Sequence, residues 1–164
     1  MGDVLIDVIV EDDRWVGLQA LADSAVPAAL GDRGVSGEVV VLGCDDTRIA
    51  ALNADFRGKS RPTNVLSWPS AERDPGSIPD EEELGDIAIS YDTCAREAAE
   101  QGKAFDEHVI HLLIHATLHL LGHDHQNEAE ASRMETIERN VMASLGLPDP
   151  YRDDILHGPC LGPD

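Results

Sequence analysis

Residues 3–42, DVLIDVIVEDDRWVGLQALADSAVPAALGDRGVSGEVVVL, read as a strand, a helix and a second strand in direct succession. Asp3–Val10 alternates and is rich in Val and Ile, as a half-buried strand is. From Arg14 to Leu30, Trp15, Leu18, Leu21, Ala22, Ala25 and Ala29 recur at helical spacing, and Gly31 and Gly34 end the helix. Glu38–Leu42 (EVVVL) is a buried strand. A crossover of this kind is right-handed and leaves its two strands parallel, so the fold class is α/β.

Working outward, Asp45 caps a helix that runs through Ile49 and Leu52 to about Phe56, and Thr63–Trp68 makes a third strand closed by Pro69. Ser70–Glu83, with Pro75, Pro79 and a run of acids, is a loop. Leu84–Tyr91 is a fourth strand, and Asp92 is placed to cap a short helix to about Gln101. Two longer helices follow, Phe105–Leu121 and Asn127–Leu145, the second opened by the Asn127/Glu130 pattern of a capping box. The alternation predicts that the first three strands are parallel neighbours and that the fourth runs antiparallel. The expected architecture is α/β (α+β): a mixed, mostly parallel four-stranded sheet packed with about five helices. It forms one domain over residues 1–148, with an irregular tail over 149–164.

The chain has 164 residues, a one-domain length. Its 12 basic and 32 acidic side chains give −20, while 42% hydrophobic residues are too many for a disordered acidic tail. No window approaches the roughly 20 apolar residues of a membrane span. The start, Met1-Gly2-Asp3-Val4, shows neither the basic stretch nor the apolar run of a secretory signal, and none is expected. A cytoplasmic protein without a membrane partner is expected. The acidity excludes a generic nucleic-acid coat, and DNA is not an expected partner. Cys44, Cys94 and Cys160 have no ligand spacing and read as reduced, structural thiols.

Six of the seven histidines fall between His108 and His125, and Val109–Leu121 contains no Asp, Glu, Lys or Arg. Such a helix belongs in a protein interior. At about 100° per residue, His108, His111, His115 and His119 lie within roughly 80° of one face. Buried imidazoles are costly without partners, and a metal ion is an economical one. His115 and His119, four apart, can grip one ion, and the turn at Gly122 can return His125 to it. Three imidazoles with one open position describe a catalytic zinc site rather than a structural one. The helix is too long, about 16 Å from His108 to His119, for all its histidines to share one ion. His111 is the rival third ligand, and Asp124 and Glu128 are candidate partners for the ligands.

The spacing HxxxHxxGxxH matches the zinc box of metzincin proteases, but Ala116 stands where those have their glutamate base. Peptide hydrolysis is therefore disfavoured, and His123, Asp124 or a metal-bound hydroxide becomes the candidate base. In LNADFRGKSRPTNVLSW (Leu52–Trp68), Arg57, Lys59 and Arg61 crowd into five positions. A guanidinium offers paired in-plane donors that suit phosphate oxygens. Next to a hydrolytic metal, Arg57 is a candidate clamp for transition-state charge.

HATLHLLGHDH (His115–His125), LNADFRGKSRPTNVLSWP (Leu52–Pro69) and LGDIAIS (Leu84–Ser90) together resemble the YbeY family of metal-dependent endoribonucleases, which act in ribosomal RNA maturation and ribosome quality control. The likeness runs from about Val4 to Tyr151. It implies that His115, His119 and His125 bind one zinc ion and that Arg57 is catalytic; in the mechanism expected for such a site, Lys59 or Arg61 helps to hold the strand. It further implies single-strand-specific hydrolysis of a ribosomal RNA precursor in 16S 3′-end maturation. A ribosomal protein or an assembly GTPase is the implied protein partner. The chain departs from the family at Ala116, usually glycine, and at His123, usually tyrosine. Two rival classes remain: an assembly factor with a structural zinc, and a metallohydrolase of peptides or small molecules.

Overall fold

The computed structural model describes residues 4–31, 35–73, 83–124 and 127–151. In chain order the elements are β1 (Val4–Val10), α1 (Leu18–Leu30), β2 (Gly37–Cys44), α2 (Asp46–Arg57), β3 (Val65–Pro69), β4 (Glu83–Ser90), α3 (Tyr91–Gln101), α4 (Phe105–Leu120) and α5 (Glu128–Ser144). The described strands form one mixed sheet in the order β1-β2-β4-β3. β1 pairs parallel with β2, and β2 with β4, while β3 runs antiparallel to β4.

This corrects the expected strand order. The third strand, not the fourth, is the antiparallel one, and β4 inserts between β2 and β3. The reason is burial. Leu84, Ile87, Ala88, Ile89 and Ser90 are all covered, so β4 is apolar on both faces and belongs in the middle of the sheet. β3 is short and ends in Pro69, which cannot donate to a ladder and suits an edge. Two further expectations shift. α1 begins at Leu18, not Arg14, because the Arg14 backbone and guanidinium are taken by the Asp12 carboxylate in the preceding turn. Asp92 does not cap its own helix. It accepts from the Asp46 amide at 3.0 Å and from Arg14 at 2.7 Å, so it serves the start of α2 instead.

Other local signals hold. Asp45 caps α2 by accepting from the Arg48 amide at 2.8 Å, and Asn127 caps α5 by accepting from the Glu130 amide at 2.9 Å. The main core lies between the sheet and α1, α4 and α5, with Val39, Val41, Ile87 and Ile89 facing Leu112, Leu113 and Ile114. A smaller cluster on the other face joins Ile49 of α2 to Leu66 and Ala88, with Leu52 and Trp68 at its margin. Gly85 is where the sheet meets the end of α4. Its φ is +149°, and a Cβ there would stand 2.4 Å from the Trp68 carbonyl oxygen and 2.6 Å from Leu120.

Cys44 and Cys94 are buried free thiols. Burial pushes the Cys44 thiol up to about 12 and the Cys94 thiol well above its ordinary range. Cys160 lies outside the described residues. No helix among the described residues is long and apolar enough to cross a membrane.

Candidate metal centre and its cleft

α4 is the helix through the interior. From His108 to Leu118 every side chain is buried, as its uncharged sequence requires. Each buried imidazole then needs a partner, and carboxylates supply them. His108 Nε2 lies 2.9 Å from Glu97 of α3. His111 Nε2 and His115 Nδ1 each lie 2.7 Å from one oxygen of Glu138 of α5. Glu138 is completely buried and also accepts from the Tyr151 hydroxyl. Burial alone would raise its carboxyl, but the bonds from His111 and His115 outweigh that and hold it well below the usual carboxylate range. Burial also lowers His111, against the pull of Glu138.

An ionised Glu138 accepts only, so the bonded ring nitrogens carry the protons. The other ring nitrogen of His115 is Nε2, which in a neutral imidazole carries the lone pair. That atom lies 3.2 Å from Nε2 of half-buried His119, with the two rings nearly perpendicular. Two nitrogens bound tetrahedrally to zinc at 2.0–2.1 Å stand about 3.3–3.4 Å apart. The pair thus fits one ion, and Glu138 behind His115 is the outer carboxylate that metal-bound imidazoles normally have. His111 is turned to Glu138 by its Nε2, away from the role of third ligand. His125 lies outside the described residues, among which no three ligating side chains gather at one point.

The His115/His119 pair opens on a cleft of about 490 Å³, lined also by Phe56, Arg57, Val65–Trp68, Ala116 and Asp124. The cleft follows β3, the last strand in the sheet order among the described residues. Arg57 reaches it because α2 ends there, with Gly58 in the left-handed conformation (φ +69°) turning the chain away. Lys59 and Arg61 are exposed on that turn and are not among the residues lining the cleft. The turn is held by Asn53, whose side-chain amide donates to the Arg61 carbonyl at 3.0 Å. A second cavity of about 770 Å³, lined by Glu72, Arg73, Gly122 and His123, shares His119 and Asp124 with the first. Arg73 donates to the Leu120 carbonyl at 2.7 Å and the Leu84 carbonyl at 3.1 Å, tying the end of α4 to β4. The rest of the acidic loop, 74–82, lies outside the described residues.

Sequence reasoning offered Asp124 and Glu128 as carboxylate partners of the histidines. Glu138 holds that position on His115, and Glu128 is exposed in the first turn of α5. A signal existed: Met134, Glu138 and Met142 form one buried i, i+4, i+8 stripe, and an acid in an apolar stripe requires a partner. Tyr151 and Arg73 carried no comparable signal, since both reach their partners from irregular chain.

Residues 13–146 match the family model described as Endoribonuclease YbeY. Among curated proteins of that name, the one from Paracoccus denitrificans is 56% identical over 89% of this chain and 89% of its own length. That from Cereibacter sphaeroides is 50% identical over 90% of this chain and 98% of its own. The solution structure of a Thermotoga maritima protein superposes with a TM-score of 0.55 at 25% identity, covering 87% of this chain and 92% of that one. The paired imidazoles, the arginine at the cleft and these matches over most of the chain have one reading: the protein belongs to the YbeY family of endoribonucleases.

Proposed function

We propose that this endoribonuclease hydrolyses phosphodiesters of a single-stranded ribosomal RNA precursor, in 16S 3′-end maturation and ribosome quality control, at the cleft along β3. The observation that supports this reading is the pair of imidazole nitrogens 3.2 Å apart in a cleft that Arg57 also lines. His115, His119 and His125 would hold one zinc ion, which supplies Lewis-acid polarisation of the scissile phosphate. Arg57 binds the phosphate through its paired donors and stabilises the negative charge that grows as the bond to the nucleophile forms. Asp124, the carboxylate among the described cleft-lining residues, accepts the proton the nucleophile gives up. Lys59 and Arg61 hold the strand as it leaves the cleft. We infer that the protein works in the cytoplasm, with a ribosomal protein or an assembly GTPase as its protein partner, in a domain over residues 1–148 followed by a tail.

The test is end-labelled single-stranded RNA incubated with zinc-loaded protein, with and without chelator, beside two variants. Chelator and His115→Ala are each expected to abolish cutting. Arg57→Ala is expected to lower the rate constant by about 10²- to 10³-fold with bound zinc unchanged. Undiminished cutting by Arg57→Ala at full zinc content would remove the proposed role of Arg57. Fully loaded protein that cuts no RNA would favour an assembly factor.

A further inference from the structure

The chain has only six aromatic residues of the Phe, Trp and Tyr types, and the fold sorts them. Trp15, Tyr91 and Phe105 pack on one another with ring centres 5.0 to 5.6 Å apart. Tyr151 sits against His111. The remaining two, Phe56 and Trp68, stand together in the cleft, 4.8 Å apart and tilted by 55°.

Their situations differ in an informative way. Trp68 is anchored, packed on the small cluster of Leu66, Ile49 and Ala88 beneath α2. Phe56 is 62% exposed. An exposed phenyl ring gains little from the fold, since most of its apolar surface stays in water. The ring is also the side chain immediately before Arg57, on the last turn of α2, so a group held on it lies beside whatever the guanidinium binds.

We propose that Phe56, backed by Trp68, is the stacking platform for one unpaired nucleobase next to the scissile phosphate; this rests on the ribonuclease reading given above. The chemistry is complementary. A phenyl face accepts any base, which leaves sequence choice open, but only a base already free of its duplex partner can lie on it. Selectivity for single strands then follows from the cleft. Stacking also suits a protein of net charge −20, because it contributes affinity that the protein's repulsive field does not oppose. The guanidinium takes the phosphate and the ring takes the base, two parts of one nucleotide held by consecutive residues.

The test uses zinc-loaded full-length protein and end-labelled single-stranded RNA carrying one abasic ribonucleotide, moved stepwise across the cut. Phe56→Ala is expected to raise KM about 10- to 100-fold, with kcat within about threefold. Phe56→Tyr is expected to restore the wild-type KM. In the wild type, one abasic position beside the cut is expected to reproduce the loss. In Phe56→Ala the same abasic substrate is expected to cost nothing more, since the interaction is already gone. An unchanged KM, or two losses that simply multiply, would overturn the platform while leaving the ribonuclease intact. If wild-type protein cut no RNA, the functional reading would fail first. The platform would then be judged by Trp68 fluorescence on adding the intact and abasic strands, and equal quenching by both would end it.

Discussion

At the scale of the residue, Glu138 governs the site without touching the cleft. Its two oxygens fix the proton on Nδ1 of His115 and on Nε2 of His111, and so decide which nitrogen of His115 faces His119. Glu138→Gln keeps the shape but replaces one accepting oxygen with a donor, which forces one of the two rings to another tautomer or leaves it unpaired. Zinc affinity, measured by competition with a chromophoric chelator, is expected to fall 10- to 100-fold. Unchanged affinity would show that His115 needs no carboxylate to orient it. His115 and His119 were legible in the sequence because a four-residue interval on a helix is itself a geometric statement. Glu138 was not, because its partners lie on another helix and no local spacing encodes a pairing between α4 and α5.

At the scale of the element, the same limit applies to the sheet. Alternation and β-branching identified all four strands, since they reflect the local pleat. Sheet order depends on which strand can be covered on both faces, and that is settled only when α2 and α4 pack. β3 and β4 show the consequence: both read as strands, yet their places were exchanged. Gly85 is the hinge of that arrangement, with its positive φ and the Trp68 carbonyl and Leu120 pressed on the space where a side chain would be. Gly85→Ala is expected to destabilise by about 2 kcal/mol or more, combining backbone strain with a steric clash. Urea unfolding would measure it. A loss below about 0.5 kcal/mol would mean that β3 yields freely and that the cleft wall is softer than the packing suggests.

At the scale of the whole molecule, charge sets the terms of encounter. A net −20 opposes RNA at long range, while the positive charges of Arg57, Lys59 and Arg61, close together at the end of α2 and the turn after it, would attract it at short range. The two have different reach. Added salt screens the long-range repulsion first, and the local attraction is lost only as the Debye length falls toward contact distances, about 10 Å at 0.1 M and 3 Å at 1 M. Cleavage of free RNA is therefore expected to rise from the lowest ionic strength, pass through a maximum and then decline. A monotonic fall from the lowest salt would show that the basic turn dominates at every distance.

The helix that bears the histidines is also the one against which the sheet, α1, α3 and α5 are assembled. Chemistry and folding therefore draw on the same helix, and a substitution in α4 bears on both. The rim is different. The side chains of Phe56, Lys59, Ser60 and Arg61 are exposed and belong to neither core, so they can be exchanged one at a time without endangering the scaffold. Innovation has a place to happen in this molecule, and it is the lip of the cleft rather than its floor.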